Sequence, residues 1–218
     1  MRAYKSDPLV YLVDDEYAVR DSLALLMESA GLTVISFASA LDFLDNYDPR
    51  QPGCLLLDVR MPTMSGLELQ GELARREIVI PIIFISGHAG IPDSAKAFRA
   101  GAVDFLEKPF DNGLLLERIA EAIKKDLTYR EQFVECRKIQ IRLDHLTARE
   151  QEVLTLIING HSNKEMAKIL DISNRTVEAH RASIMEKTQV NSLAELMAMI
   201  AQVGRLNDTF DFLPKAGH

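Results

Sequence analysis

Five short apolar runs, each followed by a stretch of helical spacing, constrain the first half of this chain more than any other feature. The runs are LVYLV (9–13), LTVISF (32–37), GCLLLD (53–58), PIIFIS (81–86) and VDFL (103–106). After the first, Leu23, Leu26, Met27 and Ala30 recur every three or four residues and Gly31 supplies a stop. ALDFLDNY, a segment opening on the Ser65/Glu68 capping pattern, DSAKAFRAG and a segment from Asn112 follow the other runs. Strands this apolar need cover on both faces, which a parallel sheet wrapped by helices provides. The expected fold is a doubly wound α/β domain of five parallel strands.

The polar residues that end these runs then form a set. The first strand ends at Asp14 and Asp15, the third at Asp58 and the fourth at Ser86, and Lys108-Pro109 closely follows the fifth. Ligands of open α/β sheets bind at that carboxyl edge. The turns at the opposite edge, NYDPRQPG and ARREIVIP, carry no such set. An aspartate in a turn is ordinary by itself, but three carboxylates together repel unless a cation joins them. Mg2+ takes one or two carboxylates with water and phosphate oxygens. Lys108 adds a positive point charge suited to a phosphate, and Ser86 a hydroxyl. The set reads as a phosphoryl site with an aspartate as nucleophile.

The second half reads as all helical. Thr147 with Glu150, Ser162 with Glu165 and Ser192 with Glu195 mark three helix starts, and a fourth helix runs from Ser173 to about Lys187. SNKEMAKILDISNRTVEAHRASIMEK sets two helices either side of the turn DISN, with Met166, Ala167, Leu170, Ile172, Val177, Ile184 and Met185 inward. That is a helix-turn-helix pattern, although a small helical bundle gives similar spacing. Between the halves, Leu116, Ile119, Ala120 and Ile123 are expected to cover the sheet, and the chain beyond Lys125 turns mostly polar.

Charge and cysteine content narrow the classes. Residues 1–126 carry 13 Lys and Arg against 20 Asp and Glu, whereas residues 145–205 carry seven of each, so an acidic half precedes a neutral one. Cys54 and Cys136 suggest neither a disulfide framework nor a zinc site. No run approaches the roughly 18 apolar residues of a membrane span, and MRAYKSDP has no apolar signal region. A cytoplasmic protein without a membrane partner is expected.

VDDE, DVRMPTMSGLEL, FISGHA and FLEKPF, in this order and spacing, resemble the receiver domain of two-component response regulators over residues 9 to about 124. LTAREQEVL, NGHSNKEMAKIL and ISNRTVEAHRASIMEK resemble the LuxR/NarL-type DNA-binding domain over roughly 143–205. Together they resemble the FixJ-type response regulators across nearly the whole chain. The resemblance implies a flavodoxin-like sheet in the order 2-1-3-4-5, a receiver at 1–124, a helical linker at 125–142, a helix-turn-helix domain at 143–205 and a flexible tail at 206–218. It implies that a sensor histidine kinase phosphorylates Asp58, with Mg2+ held by Asp14, Asp15, Asp58 and the backbone carbonyl of Arg60. Ser86 would be the switch hydroxyl, Lys108 the phosphoryl contact beside a cis Pro109, and Phe105 the aromatic that reports activation. Arg60 and His88 stand two residues beyond Asp58 and Ser86, where receivers vary; their side-chain roles stay open.

In such output domains the second helix of the pair enters the major groove of promoter DNA. Arg175, Glu178, Ala179 and Ala182 form one outward stripe and are the candidates for base edges, while Glu178 reads equally as a solvated surface acid. Asn163, Lys164, Thr176, His180, Arg181 and Lys187 are the candidates for phosphates. A phosphorylation-dependent homodimer and RNA polymerase complete the partners. Apart from phosphorylation chemistry on its own Asp58, the protein is not expected to be an enzyme. A haloacid-dehalogenase-type phosphohydrolase would need an acid where Arg60 stands, and a vestigial receiver would not need the complete polar set.

Overall fold

The computed structural model describes residues 7–87 and 91–209, and the chain divides into two compact units after Glu131. In the first unit β1 (Leu9–Val13), α1 (Tyr17–Ser29), β2 (Thr33–Phe37), α2 (Ala40–Asn46), β3 (Gly53–Asp58), α3 (Gly66–Arg75), β4 (Ile82–Ser86), α4 (Ile91–Arg99) and β5 (Asp104–Glu107) alternate. The strands pair in parallel in the order β2-β1-β3-β4-β5, as expected.

Successive strand residues enter opposite faces, and both faces are covered. Tyr11, Val13, Leu55, Leu57 and Phe84 pack with Phe43, Leu69, Leu73 and Ala97 on one side. Val10, Leu12, Leu56, Ile83 and Ile85 pack with Leu23, Met27, Leu115, Ile119 and Ala122 on the other. This explains why LVYLV and LLL are apolar without alternation. β3 lies between β1 and β4 and is buried along its whole length. Full burial of a leucine stabilises by roughly 1.5–3 kcal/mol, so Leu55, Leu56 and Leu57 give the residue that ends β3 a rigid seat.

The last helix of this unit, α5 (Asn112–Asp144), continues unbroken through 125–142, where no glycine or proline interrupts it. Its buried stripe is Leu115, Ile119 and Ala122, with Leu116 and Ile123 at the margin. Ala120, expected to cover the sheet, is exposed instead. One residue beyond Ile119 turns about 100° from the face, and the stripe runs on to the buried Asp126 and Arg130.

The second unit contains α6 (Ala148–Ile158), α7 (Asn163–Leu170), α8 (Asn174–Thr188) and α9 (Leu193–Thr209). Their shared core includes Ile139, Val153, Met166, Val177, Ile184 and Leu196. Reciprocal capping boxes start α6 at Thr147 and α7 at Ser162, as one does α3 at Ser65. At α9 the pattern is looser: the Glu195 N–H donates to Ser192 Oγ, but its carboxylate accepts from the Asn191 N–H. The helix-turn-helix turn is Asp171 to Ser173, one residue shorter than DISN, because Ser173 caps α8 and Asn174 joins it. Asp171 closes α7 at a left-handed φ of 53°. α9 runs to Thr209, past residue 205 and into the segment expected as a flexible tail. Ile200 and Val203 anchor it to the core, and RLNDT holds no proline or glycine to stop it. Residues 210–218, including FDFL, lie outside the described residues. Among the described residues no helix is long and apolar enough to cross a membrane.

Candidate functional site

The carboxyl edge of the sheet brings two of the predicted acids to one ammonium. Lys108 Nζ lies 2.9 Å from Asp14 Oδ2 and 3.1 Å from Asp58 Oδ1. Asp14 and Asp58 are both buried. Their other oxygens are held by the backbone: Asp14 Oδ1 accepts from the Glu16 N–H at 2.8 Å and Asp58 Oδ2 from the Arg60 N–H at 2.7 Å. Arg20 donates to the Asp14 carbonyl at 2.7 Å and fixes the end of β1.

Strand ends position the remaining members. Ser86 closes β4 and is buried, and its carbonyl accepts the Lys108 N–H at 2.8 Å. The Lys108–Pro109 peptide is cis, as expected. Phe105 on β5 is half-buried and stacks on Phe84 with centroids 6.0 Å apart. Asp15 and Arg60 are exposed. His88 lies outside the described residues.

Burial pushes the Asp58 carboxyl above its ordinary range, against the pull of the Lys108 ammonium and the Arg60 N–H. Burial alone would lower Lys108, but its bonds to Asp14 and Asp58 outweigh that and hold its affinity for a proton above the ordinary value. Two buried acids that would repel each other are thus stabilised by one shared positive charge. Such a site can present a carboxylate oxygen to an electrophile and a cation to its oxygens.

In the second unit Arg175, Glu178, Ala179 and Ala182 are all exposed on α8, consistent with one outward stripe. Thr176, His180 and Arg181 are half-buried beside them, and Asn163 and Lys164 open α7. The Thr176 hydroxyl shares a hydrogen bond with Ser173 Oγ. Lys187, expected at a phosphate, holds its ammonium 2.6 Å from Glu150 Oε2.

Glu150 was legible in the sequence only as a capping residue. Its carboxylate also accepts from Ser183 Oγ at 2.6 Å, and so ties the first turn of α6 to α8. The bonds from Lys187, Ser183 and the Thr147 N–H hold its pKa down at about 2. Next to it, Arg149 donates to the Leu170 carbonyl at 2.5 Å, at the end of α7. Consecutive residues of α6 therefore grip both helices of the pair. The partners stand 21 to 37 positions away, where no local spacing signals them.

Comparison with known proteins finds two families along the chain. Residues 10–120 match the family described as "Response regulator receiver domain", and residues 144–200 the family described as "Bacterial regulatory proteins, luxR family". The chain is 44% identical over 191 residues to the response regulator protein TmoT of Ectopseudomonas mendocina, covering 88% of this chain and 87% of that one. It is 40% identical over 199 residues to the transcriptional regulatory protein FixJ of Bradyrhizobium diazoefficiens, covering 91% and 97%. Among solved structures, the response regulator StyR superposes with a TM-score of 0.76 at 42% identity, covering 90% of this chain and all of that one. Full-length FixJ from B. japonicum superposes at 0.56 with 38% identity, covering 93% of this chain and all of the other.

Proposed function

The chain belongs to the FixJ-type response regulators, which join a receiver domain to a LuxR-family DNA-binding domain, and from that premise we propose that phosphorylation of Asp58 by a sensor histidine kinase drives it to dimerise on promoter DNA. As a family member it is a transcriptional regulator of a two-component system. The phosphohydrolase alternative finds no support, since the relatives named above are regulators.

One observation carries the phosphorylation reading: the Lys108 ammonium bridges Asp14 and Asp58. Asp58 Oδ2 is tied to the Arg60 N–H, which leaves Oδ1, on the lysine side, to attack phosphorus. The P–O or P–N bond of the donor breaks, its electron pair leaves with the donor, and an acyl phosphate remains on Asp58. Lys108 then exchanges its bond to Asp58 for one to the new phosphoryl oxygens, and Ser86 offers its hydroxyl from the end of β4. That pulls together the ends of β4 and β5, where Phe105 stacks on Phe84.

Asp14, Asp15 and Asp58 with the Arg60 carbonyl are the donors that would hold Mg2+. Two buried carboxylates that already face one positive group suit a hard cation, and Asp15, next to Asp14 in the chain, is exposed. When bound, Mg2+ would offset charge on the transferring oxygens.

Charge balance favours dimerisation as the output. Residues 145–205 carry no net charge, and Lys187 is engaged with Glu150, so a single copy has few cations to release counterions from DNA. Two copies on half-sites roughly 34 Å apart would add their contacts, the second at an effective concentration that can reach about millimolar. Bound there, the protein would meet RNA polymerase.

Analytical ultracentrifugation with and without beryllofluoride, beside titrations of a paired site and a single half-site, tests this function. A largely monomeric free protein, dimerising on activation and preferring the paired site, is expected. An unactivated monomer that binds the half-site as tightly as the activated form binds the pair would refute it.

A further inference from the structure

Far from the phosphoryl edge, a buried ion pair fastens α5 to the loop that leads into β3. Asp126 is 1% and Arg130 8% exposed. Asp126 Oδ2 accepts from Arg130 Nε at 2.7 Å and from the Gly53 N–H at 2.9 Å. The Arg130 guanidinium donates onward to the Pro49 carbonyl at 2.8 Å and the Gln51 carbonyl at 3.0 Å. The loop is fixed in turn, since Leu9 donates its N–H to the Pro52 carbonyl at 2.9 Å.

Resting on the proposed function, we propose that Asp126 and Arg130 are positioning residues that make α5 transmit the receiver's state, setting the direction in which this helix continues beyond residue 131. The upper part of α5 touches the sheet through Leu115, Ile119 and Ala122. Apolar contacts of that kind are non-directional and tolerate small slides and rolls. A guanidinium fork on two loop carbonyls, beside a carboxylate that accepts the Gly53 N–H, tolerates neither. A shift imposed on α5 near β5 therefore cannot be absorbed by sliding at the foot and passes on as a change of axis. The helix extends fourteen residues past Arg130 without a break, a lever of roughly 21 Å at about 1.5 Å per residue. Net stability is a poor reason for such a pair, because buried ion pairs commonly contribute no more than apolar residues of similar volume. The second Asp126 oxygen is buried with no hydrogen-bond partner among the described residues, which fits a group selected for geometry and not for stability.

The test uses the full chain and a DNA fragment selected from random sequence by the acetyl-phosphate-treated wild type. Phosphoryl uptake and DNA affinity are measured for wild type, Arg130→Met and Asp126→Asn, with and without acetyl phosphate. Both variants should take up phosphoryl at the wild-type rate. The gain in DNA affinity on phosphorylation should shrink by at least about fivefold, the lower end of ordinary coupling between sites. A variant that is phosphorylated normally and keeps the wild-type gain overturns the inference. Loss of phosphoryl uptake in both variants also overturns it, since the pair would then serve the fold itself. A wild type with no gain overturns the proposed function, and shows this before any substitution is made.

Discussion

Gly66 lies against the backbone carbonyl of Asp58 with no room for a side chain: a Cβ at position 66 would meet that oxygen at 2.2 Å. Leu57 and Phe84 close the space from the sides, at 3.0 and 3.1 Å from the same point. The Gly66 N–H donates to the Val59 carbonyl at 3.0 Å, so α3 starts directly behind the end of β3. Gly66→Ala must displace either the helix or the strand end. Overpacking of this kind costs about 1–3 kcal/mol. Urea unfolding should show a loss of that size together with slowed phosphoryl uptake, and an unchanged midpoint would refute the close approach.

Removing the charge that Asp14 and Asp58 share should separate two roles. Asp58→Asn should abolish phosphoryl uptake from acetyl phosphate. Lys108→Ala should still bind Mg2+, and more tightly, because two buried acids lose their shared cation. Its DNA affinity should no longer respond to acetyl phosphate. Calorimetric Mg2+ titration and labelling check both, and acid-stable labelling of Asp58→Asn at the wild-type level would exclude the acyl phosphate.

Glu150 should make the grip between α6 and α8 acid-sensitive. Bonds from Lys187, Ser183 and Thr147 hold its pKa at about 2, below the ordinary 4.5 of a glutamate. Between those values the unfolded chain binds the extra proton. Its contribution is therefore complete above 4.5 and lost as pH falls towards 2. Amide exchange on α8 in the full chain should accelerate across that window, and Glu150→Gln should be weaker at neutral pH with a flatter acid response. Identical pH profiles for the two proteins would contradict this.

DNA contacts should sort by where the side chains stand. Arg175→Ala or Glu178→Ala, on the exposed stripe of α8, should relax preference at one base pair by roughly 1–3 kcal/mol. Arg181→Ala should weaken binding to all sequences and lower the salt slope by about 1. Lys187→Ala should instead lower unfolding stability, since its ammonium is on Glu150. Equal losses on selected and random DNA for Arg175, Glu178 and Arg181 would refute the stripe.

What the sequence revealed was mostly local. Asp14, Asp58, Ser86 and Lys108 were visible because the end of an apolar run is a position, and a parallel sheet brings such positions to one edge. Capping pairs at Ser65, Thr147 and Ser162 were visible because three residues make one helical turn. Ala120 was misplaced because alanine is too small to show which face it occupies. Lys187 is visible in the sequence as a cation, but Glu150, 37 positions away, is not visible as its partner. The clamp from Asp126 and Arg130 to Pro49, Gln51 and Gly53 was hidden for the same reason.

The unbroken course of α5 makes the number of residues in it a mechanical quantity. A loop absorbs an added residue, but a helix converts it into rotation. One residue inserted between Glu131 and Lys138, inside α5, would turn the rest of the helix by about 100° and advance it about 1.5 Å. Seven inserted residues would restore the bearing to within about 20°. Two such helices joined by recombination therefore keep their faces in phase across the join only when the join keeps the turn count.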